Sequence, residues 1–193
     1  MIRPTETFRE ITKNNQSYFV AAIAIFAASS FFFVYLTRDQ PDPSLEISEF
    51  GYVWDVMYQA ESFTKSIVWN VVSVVLIFYL GLKFGGSNNF RKVFSVLAYA
   101  MVPVLVGGII LHVFFMHPFV LGSLTGMDIE SEEFLGLFWV LYFASIPFAI
   151  WSFALSIHAI KIVNGFGNAK AFGILILSTA VVYTAGWAVT LVL

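Results

Sequence analysis

The side chains best suited to acid–base or metal chemistry near neutral pH are three histidines, His112, His117 and His158, and their spacing gives them little to work with. His112 and His117 are five apart and do not share a helical face, whereas zinc-binding helices set two His at i and i+4 with a Glu between them. No Glu accompanies them, and the chain has no Cys, so thiolate ligands and disulfides are absent together. His112 is expected about 9 Å outward from the middle of its apolar run, at ~1.5 Å per residue, hydrogen-bonding a neighbouring span or interfacial water. His117 falls nearer one surface and His158 nearer the other. Asp128, Glu130, Glu132 and Glu133 offer carboxylates beside His117, but nothing in their spacing requires a catalytic site. Gly85 and Gly86 lack the Walker spacing and the following Lys-Ser or Lys-Thr, so they mark a chain reversal and not a phosphate loop. No catalytic residue, metal site or cofactor is expected, and the chain reads as non-enzymatic.

The elements that must carry these residues are membrane spans. The 193 residues are 59% hydrophobic and 11% charged, and the mean hydropathy is +0.84. That exceeds the apolar content of an ordinary soluble domain. The apolar runs are long and do not alternate, which selects helices of about 20 residues over barrel strands of about ten. The predicted fold is all-α: a polytopic bundle of five transmembrane helices with spans at about 18–36, 66–82, 93–119, 134–157 and 171–193, behind a polar arm over residues 1–17. The run from Tyr18 is too long for a signal-peptide core and its small-residue site is badly placed, so it reads as an uncleaved first span.

Within the spans, no Asp, Lys or Arg stands near a middle, where one costs roughly 2.5–3.5 kcal/mol and so would advertise a transport or catalytic site. Asn70, Ser145, Ser152 and Ser156 read as interhelical hydrogen-bonding groups. Two stripes of small residues, Ala21, Ala24 and Ala28 on the first span and Ala180, Thr184 and Ala188 on the fifth, offer close approach to another helix, for internal packing or self-association alike. Pro103 and Pro147 should kink the third and fourth spans. Between the first two spans, Phe50, Val53, Trp54, Met57 and Ala60 recur at helical spacing, which suggests a short amphipathic helix lying flat at the interface with Trp54 and Tyr58 at headgroup level.

Charge orients the bundle. Arg3, Arg9, Lys13, Lys83, Arg91, Lys92, Lys161 and Lys170 fall on one side, and only Arg38 and Lys65 on the other. The acids invert this, with only Glu6 and Glu10 on the basic side. By the positive-inside tendency the amino terminus is cytoplasmic and the carboxyl terminus outside. The net charge of -2 argues against nucleic acid as a partner. The two basic, glycine-bearing turns, Lys83 to Lys92 and Lys161 to Lys170, are candidate contacts for anionic lipid or for a protein partner. The residues expected to carry such binding are Lys83, Gly85, Gly86, Phe90, Arg91, Lys92, Lys161 and Lys170, and a protein-docking face would centre on Asn88, Asn89, Phe90 and Arg91. Lys83, Lys92 and Phe94 recur at the spacing of Lys161, Lys170 and Phe172, a weak internal echo that shared turn chemistry explains as well as a repeat does.

The Gly85-Gly86 turn, Phe90 a few residues on, the small and aromatic helix through Ala98 and Tyr99 to Pro103, and the Lys-and-Gly turn before the last helix together resemble the Yip family of Ypt/Rab-interacting integral membrane proteins. The resemblance runs from about Val20 to the end. In eukaryotic members it implies vesicle trafficking, with a cytoplasmic arm engaging prenylated Rab-type GTPases and partner members in the membrane. Here the arm has only 17 residues and lacks the Asp-Leu-Tyr-Gly-Pro string, which puts GTPase binding in doubt and favours the compact bacterial and archaeal members. The resemblance implies a multi-pass scaffold or adaptor in a prokaryotic plasma membrane, with lipid, a protein partner or a second copy as its company. The alternative from the residues is a small transporter or channel component built on the proline-broken third and fourth spans.

Overall fold

The computed structural model describes residues 3–36, 49–115 and 132–192, and the described residues are helical with no strand. The helices are α1 (Pro4–Lys13), α2 (Asn15–Leu36), α3 (Glu49–Lys83), α4 (Phe90–Ala100), α5 (Val102–Phe115), α6 (Glu132–Asn164) and α7 (Asn168–Val192). Four stretches are long and apolar enough to cross a membrane: Ala60–Lys83, Phe90–Ile110, Ile146–Asn164 and Asn168–Ala188. A shorter apolar stretch, Gln16–Ser30, lies on α2. The chain is a polytopic helical membrane protein.

The bundle is built around α4 and α5. Of the Phe90–Ile110 window 56% is buried, against 17–22% of the other three, which makes it the inner helix and the others its wall. Its composition allows this, because Ser95, Ala98, Ala100, Gly107 and Gly108 are small and let neighbours close in. α4 packs on α2 and α6, α5 on the same two, and α7 bridges α3 and α6 at the periphery. Phe19, Phe26 and Phe94 stack across the α2–α4 contact with ring centroids 5.1–5.7 Å apart. The large side chains turned outward, among them Ile150, Trp151, Tyr183 and Trp187, present apolar surface to lipid.

The inner helix breaks at Met101, two residues ahead of Pro103. Pro103 has no N–H to give the carbonyl one turn back, so the backbone tightens there and Met101 N–H donates to the Ala98 oxygen at 3.1 Å. Ser152 on α6 donates its hydroxyl to the Ala100 carbonyl at 2.8 Å, filling the break from a neighbouring helix. One turn further on, Gly107 lies against the Phe148 ring, where a Cβ would come within 2.9 Å of it. α6 itself passes through Pro147 as one helix.

Several boundaries and faces differ from the sequence reading. The residues expected to form a separate interfacial helix, Phe50 to Ala60, continue without interruption into the second span as part of a 35-residue α3. No proline interrupts residues 49–83, and nothing else in that stretch stops the helix once begun. α6 extends to Asn164 and α7 begins at Asn168, so His158, Lys161 and Lys170 all sit on helices and the turn between them shrinks to residues 165–167. On α2 the packed face is Ala22, Phe26, Ser29 and Ser30, while Ala21 and Ala24 are exposed. Ala180, Thr184 and Ala188 are exposed as well, because α7 packs through Ala171, Ile174, Leu175 and Ser178. Asn70 and Ser152 do bond between helices, Asn70 Nδ2 donating to Ser30 Oγ at 2.9 Å, whereas Ser156 donates within its own helix to the Ser152 carbonyl. His117, Asp128, Glu130 and Arg38 lie outside the described residues.

The polar arm is an amphipathic helix. Pro4 occupies the first helical turn, which suits its fixed φ, and Phe8 and Ile11, three apart, are 3% and 1% exposed. They seat α1 against α4 and α6 and close that end of the bundle. Thr5 Oγ1 stands 2.9 Å from His158 Nε2, and the Phe8 ring lies 6.2 Å from the same imidazole.

Candidate functional site

The two basic turns meet at one end of the bundle, and both are made by the same local device. α3 ends with Gly85 at φ +81°, Gly85 N–H donating to the Leu82 oxygen at 3.0 Å and Gly86 N–H to the Gly81 oxygen at 2.8 Å. α6 ends with Gly165 at φ +70° and Phe166 N–H donating to the Lys161 oxygen at 3.0 Å. Both are left-handed glycine caps that satisfy the last carbonyls of a helix. The matching glycine stands two residues after Lys83 but four after Lys161, so the Lys-Lys-Phe echo is out of register with the turns. The likeness is one of turn chemistry. α4 starts under an Asn89 cap, whose Oδ1 accepts from Lys92 N–H at 3.1 Å, while Ser87 Oγ accepts from Asn89 N–H at 3.3 Å.

Asn164, the last residue of α6, joins the turns. Its Nδ2 donates to the Ile160 carbonyl at 3.0 Å and its Oδ1 accepts from Ser87 N–H at 2.9 Å. The amide fits because the residues opposite are Gly81 and Gly86; a Cβ on Gly86 would lie 2.8 Å from Asn164 Cγ. A second link comes from α7. Lys170 Nζ donates to the Phe84 carbonyl at 2.7 Å and rests 4.2 Å from the centroid of the Phe166 ring. This supplies a cation at the carboxyl end of α3, where the helix dipole favours one.

The sequence-predicted site residues therefore have distinct situations. Gly85 and Gly86 shape the first turn, and Lys170 is engaged in holding the two turns together. Arg91 lies over the Phe19 ring at 5.5 Å and Lys83 over Tyr79 at the same distance, both with exposed side chains. Phe90 leans edge-on against Phe78 at 5.4 Å and keeps 36% of its surface open, and neighbouring Phe84 is 50% exposed. Lys92 is partly buried, and Lys161 has no hydrogen bond or ion pair among the described residues. Asn164 and α1 were not among the expected site residues.

Eight basic residues and two acidic ones belong to this end, a formal balance of +6. The acids are occupied: Glu6 pairs with Arg3 at 3.0 Å and Glu10 accepts from the Tyr18 hydroxyl at 3.0 Å. What the arrangement offers is a cationic surface, tied together by Asn164 and Lys170, with two open phenyl rings. Among the described residues no three His, Cys, Asp or Glu side chains converge on a metal-sized space.

The Yip1 domain profile matches residues 1–189, nearly the whole of this bundle and both of its turns. The chain belongs to the Yip1 domain family. No curated protein and no solved structure matches it closely enough to add to that. Within this Yip1 domain, the inner helix, the two glycine-capped turns and α1 all fall inside the matched region.

Proposed function

We propose that this Yip1-domain protein is a non-enzymatic membrane scaffold or adaptor in a prokaryotic-type plasma membrane, with its basic end cytoplasmic and the first turn as the face that recruits a protein partner. The observation that carries the reading is the pinning of two turns into one surface by Asn164 and Lys170, with Phe84, Phe90, Lys83 and Arg91 left open on it. A surface held in one shape and offering aromatic rings beside cations is what a partner with an acidic, partly apolar face would recognise. Membership of a membrane-trafficking family supports an organising role over a chemical one. The cytoplasmic placement rests on the segregation of Lys and Arg. Transport through the broken inner helix has less support, because the break is occupied by Ser152 and Gly107 is closed by Phe148.

The test is co-purification from native membranes with Arg91→Ala/Lys92→Ala against the unmodified protein. A partner captured by the unmodified protein and lost from the variant, at equal insertion, is the expected result. An unchanged set of captured proteins and lipids would remove the docking role of this turn.

A further inference from the structure

On the other flank of the basic end, a groove of about 450 Å³ opens between α6 and α7, lined by Ala154, Ile157, His158, Asn168, Ala169 and Phe172. Its volume falls within the roughly 300–1,000 Å³ usual for a small-molecule site. Its chemistry changes along its length. The end further along the two helices from the basic turns is apolar, formed by Ala154, Ile157 and Phe172 on the outer surface of the bundle, and the Phe172 ring is held edge-on by Phe153 at 6.2 Å. Its mouth is polar, with Asn168 in the first turn of α7 and His158, whose Nε2 is taken by Thr5 and whose other ring nitrogen has no partner among the described residues. Lys161 follows His158 by one turn on α6, on the same helical face as Ala154 and Ile157, and no carboxylate pairs with it among the described residues. The acids of nearby α1 are already matched, Glu6 by Arg3 and Glu10 by Tyr18.

An apolar slot running from a polar, uncompensated positive mouth at the edge of a membrane has the shape and charge of one kind of occupant. We propose that this groove binds one anionic phospholipid of the cytoplasmic leaflet, an acyl chain lying along Ala154, Ile157 and Phe172 and the phosphate meeting Lys161, His158 and Asn168 at the mouth. The site is separate from the protein-docking face, since Lys170 on the same helix turns toward Phe84 and α3. It depends on the membrane placement of the bundle and is independent of the adaptor reading.

The experiment is native mass spectrometry of the full chain released from nanodiscs of equal parts phosphatidylglycerol and phosphatidylcholine, counting retained lipid. The expected result is one retained phosphatidylglycerol in preference to phosphatidylcholine. Lys161→Ala should cut that preference about fivefold, in line with the attraction of one surface lysine. Lys92→Ala should leave it unchanged. Ala154→Trp, which fills the slot and keeps Lys161, should also abolish retention; preference surviving in that variant would mean a headgroup attraction alone and would overturn the site. Equal loss with Lys161→Ala and Lys92→Ala, or no preference in the unmodified protein, would overturn it too.

Discussion

Asn164 concentrates three requirements in one side chain: a donor to its own helix, an acceptor for Ser87 N–H, and a shape that leaves no room for a Cβ at 86 and only a tight fit for one at 81. Gly86→Ala must push the amide away and so break the Ser87 bond, an overpacking and unpairing effect of about 1–3 kcal/mol. Asn164→Ala leaves the same N–H unpaired and should cost a similar ~1–3 kcal/mol. The double variant should fall short of the sum of the two, because removing the amide also removes the clash. Thermal unfolding in detergent reads all three, with Gly167→Ala, which meets nothing within 4 Å, as the control expected within about 0.5 kcal/mol of the unmodified protein. Strict additivity would mean that Asn164 and Gly86 do not act on each other. Gly85 and Gly86 are readable in the sequence as turn residues because glycine between two apolar runs has few other uses. Asn164 is not, since an Asn near a turn is expected on turn grounds alone and its partner Ser87 is 77 residues away.

Helices show the same division between what a pattern carries and what only packing decides. The spans are legible as apolar runs, and Pro103 is legible as a place where the backbone loses a donor. Which face of α2 or α7 turns inward is not, because both are apolar on every side: the small residues Ala21, Ala24 and Ala28 suit internal packing and self-association alike, and within the bundle α2 packs through Ala22, Phe26, Ser29 and Ser30. α1 went unrecognised as a helix for the opposite reason. Its ten residues are mostly polar and only Phe8 and Ile11 mark the buried stripe, a signal that a flexible arm could equally contain. At the inner helix, Gly107 against Phe148 makes a testable close contact. Gly107→Leu should destabilise the bundle by roughly 1–3 kcal/mol through overpacking, and Phe148→Ala in the same chain should restore part of the loss. A Phe148→Ala change that makes Gly107→Leu worse would place the Leu side chain against something other than that ring.

For the molecule as a whole, the proposed orientation rests on the balance of eight basic and two acidic groups at one end, and the absence of Cys makes it easy to test. Single-cysteine variants have no background: an impermeant maleimide added outside intact cells should label Glu61→Cys, and should label Asn88→Cys only after the membrane is opened. The reverse pattern would place the basic turns outside and remove the cytoplasmic adaptor reading with them. This expectation comes from sequence alone, since counting cations on alternate loops needs no knowledge of contacts. It carries the site less well, because gathering both turns, α1 and Lys170 at one place depends on helices distant in the chain. The most direct test of the central claim, that the pinned basic turns form a protein-docking face, is in-cell crosslinking from a photoreactive residue at exposed Asn88. The account predicts a reproducible protein adduct that disappears when Arg91→Glu/Lys92→Glu reverses the charge of the turn. Capture of lipid alone, or of the same proteins from the charge-reversed chain, would contradict it.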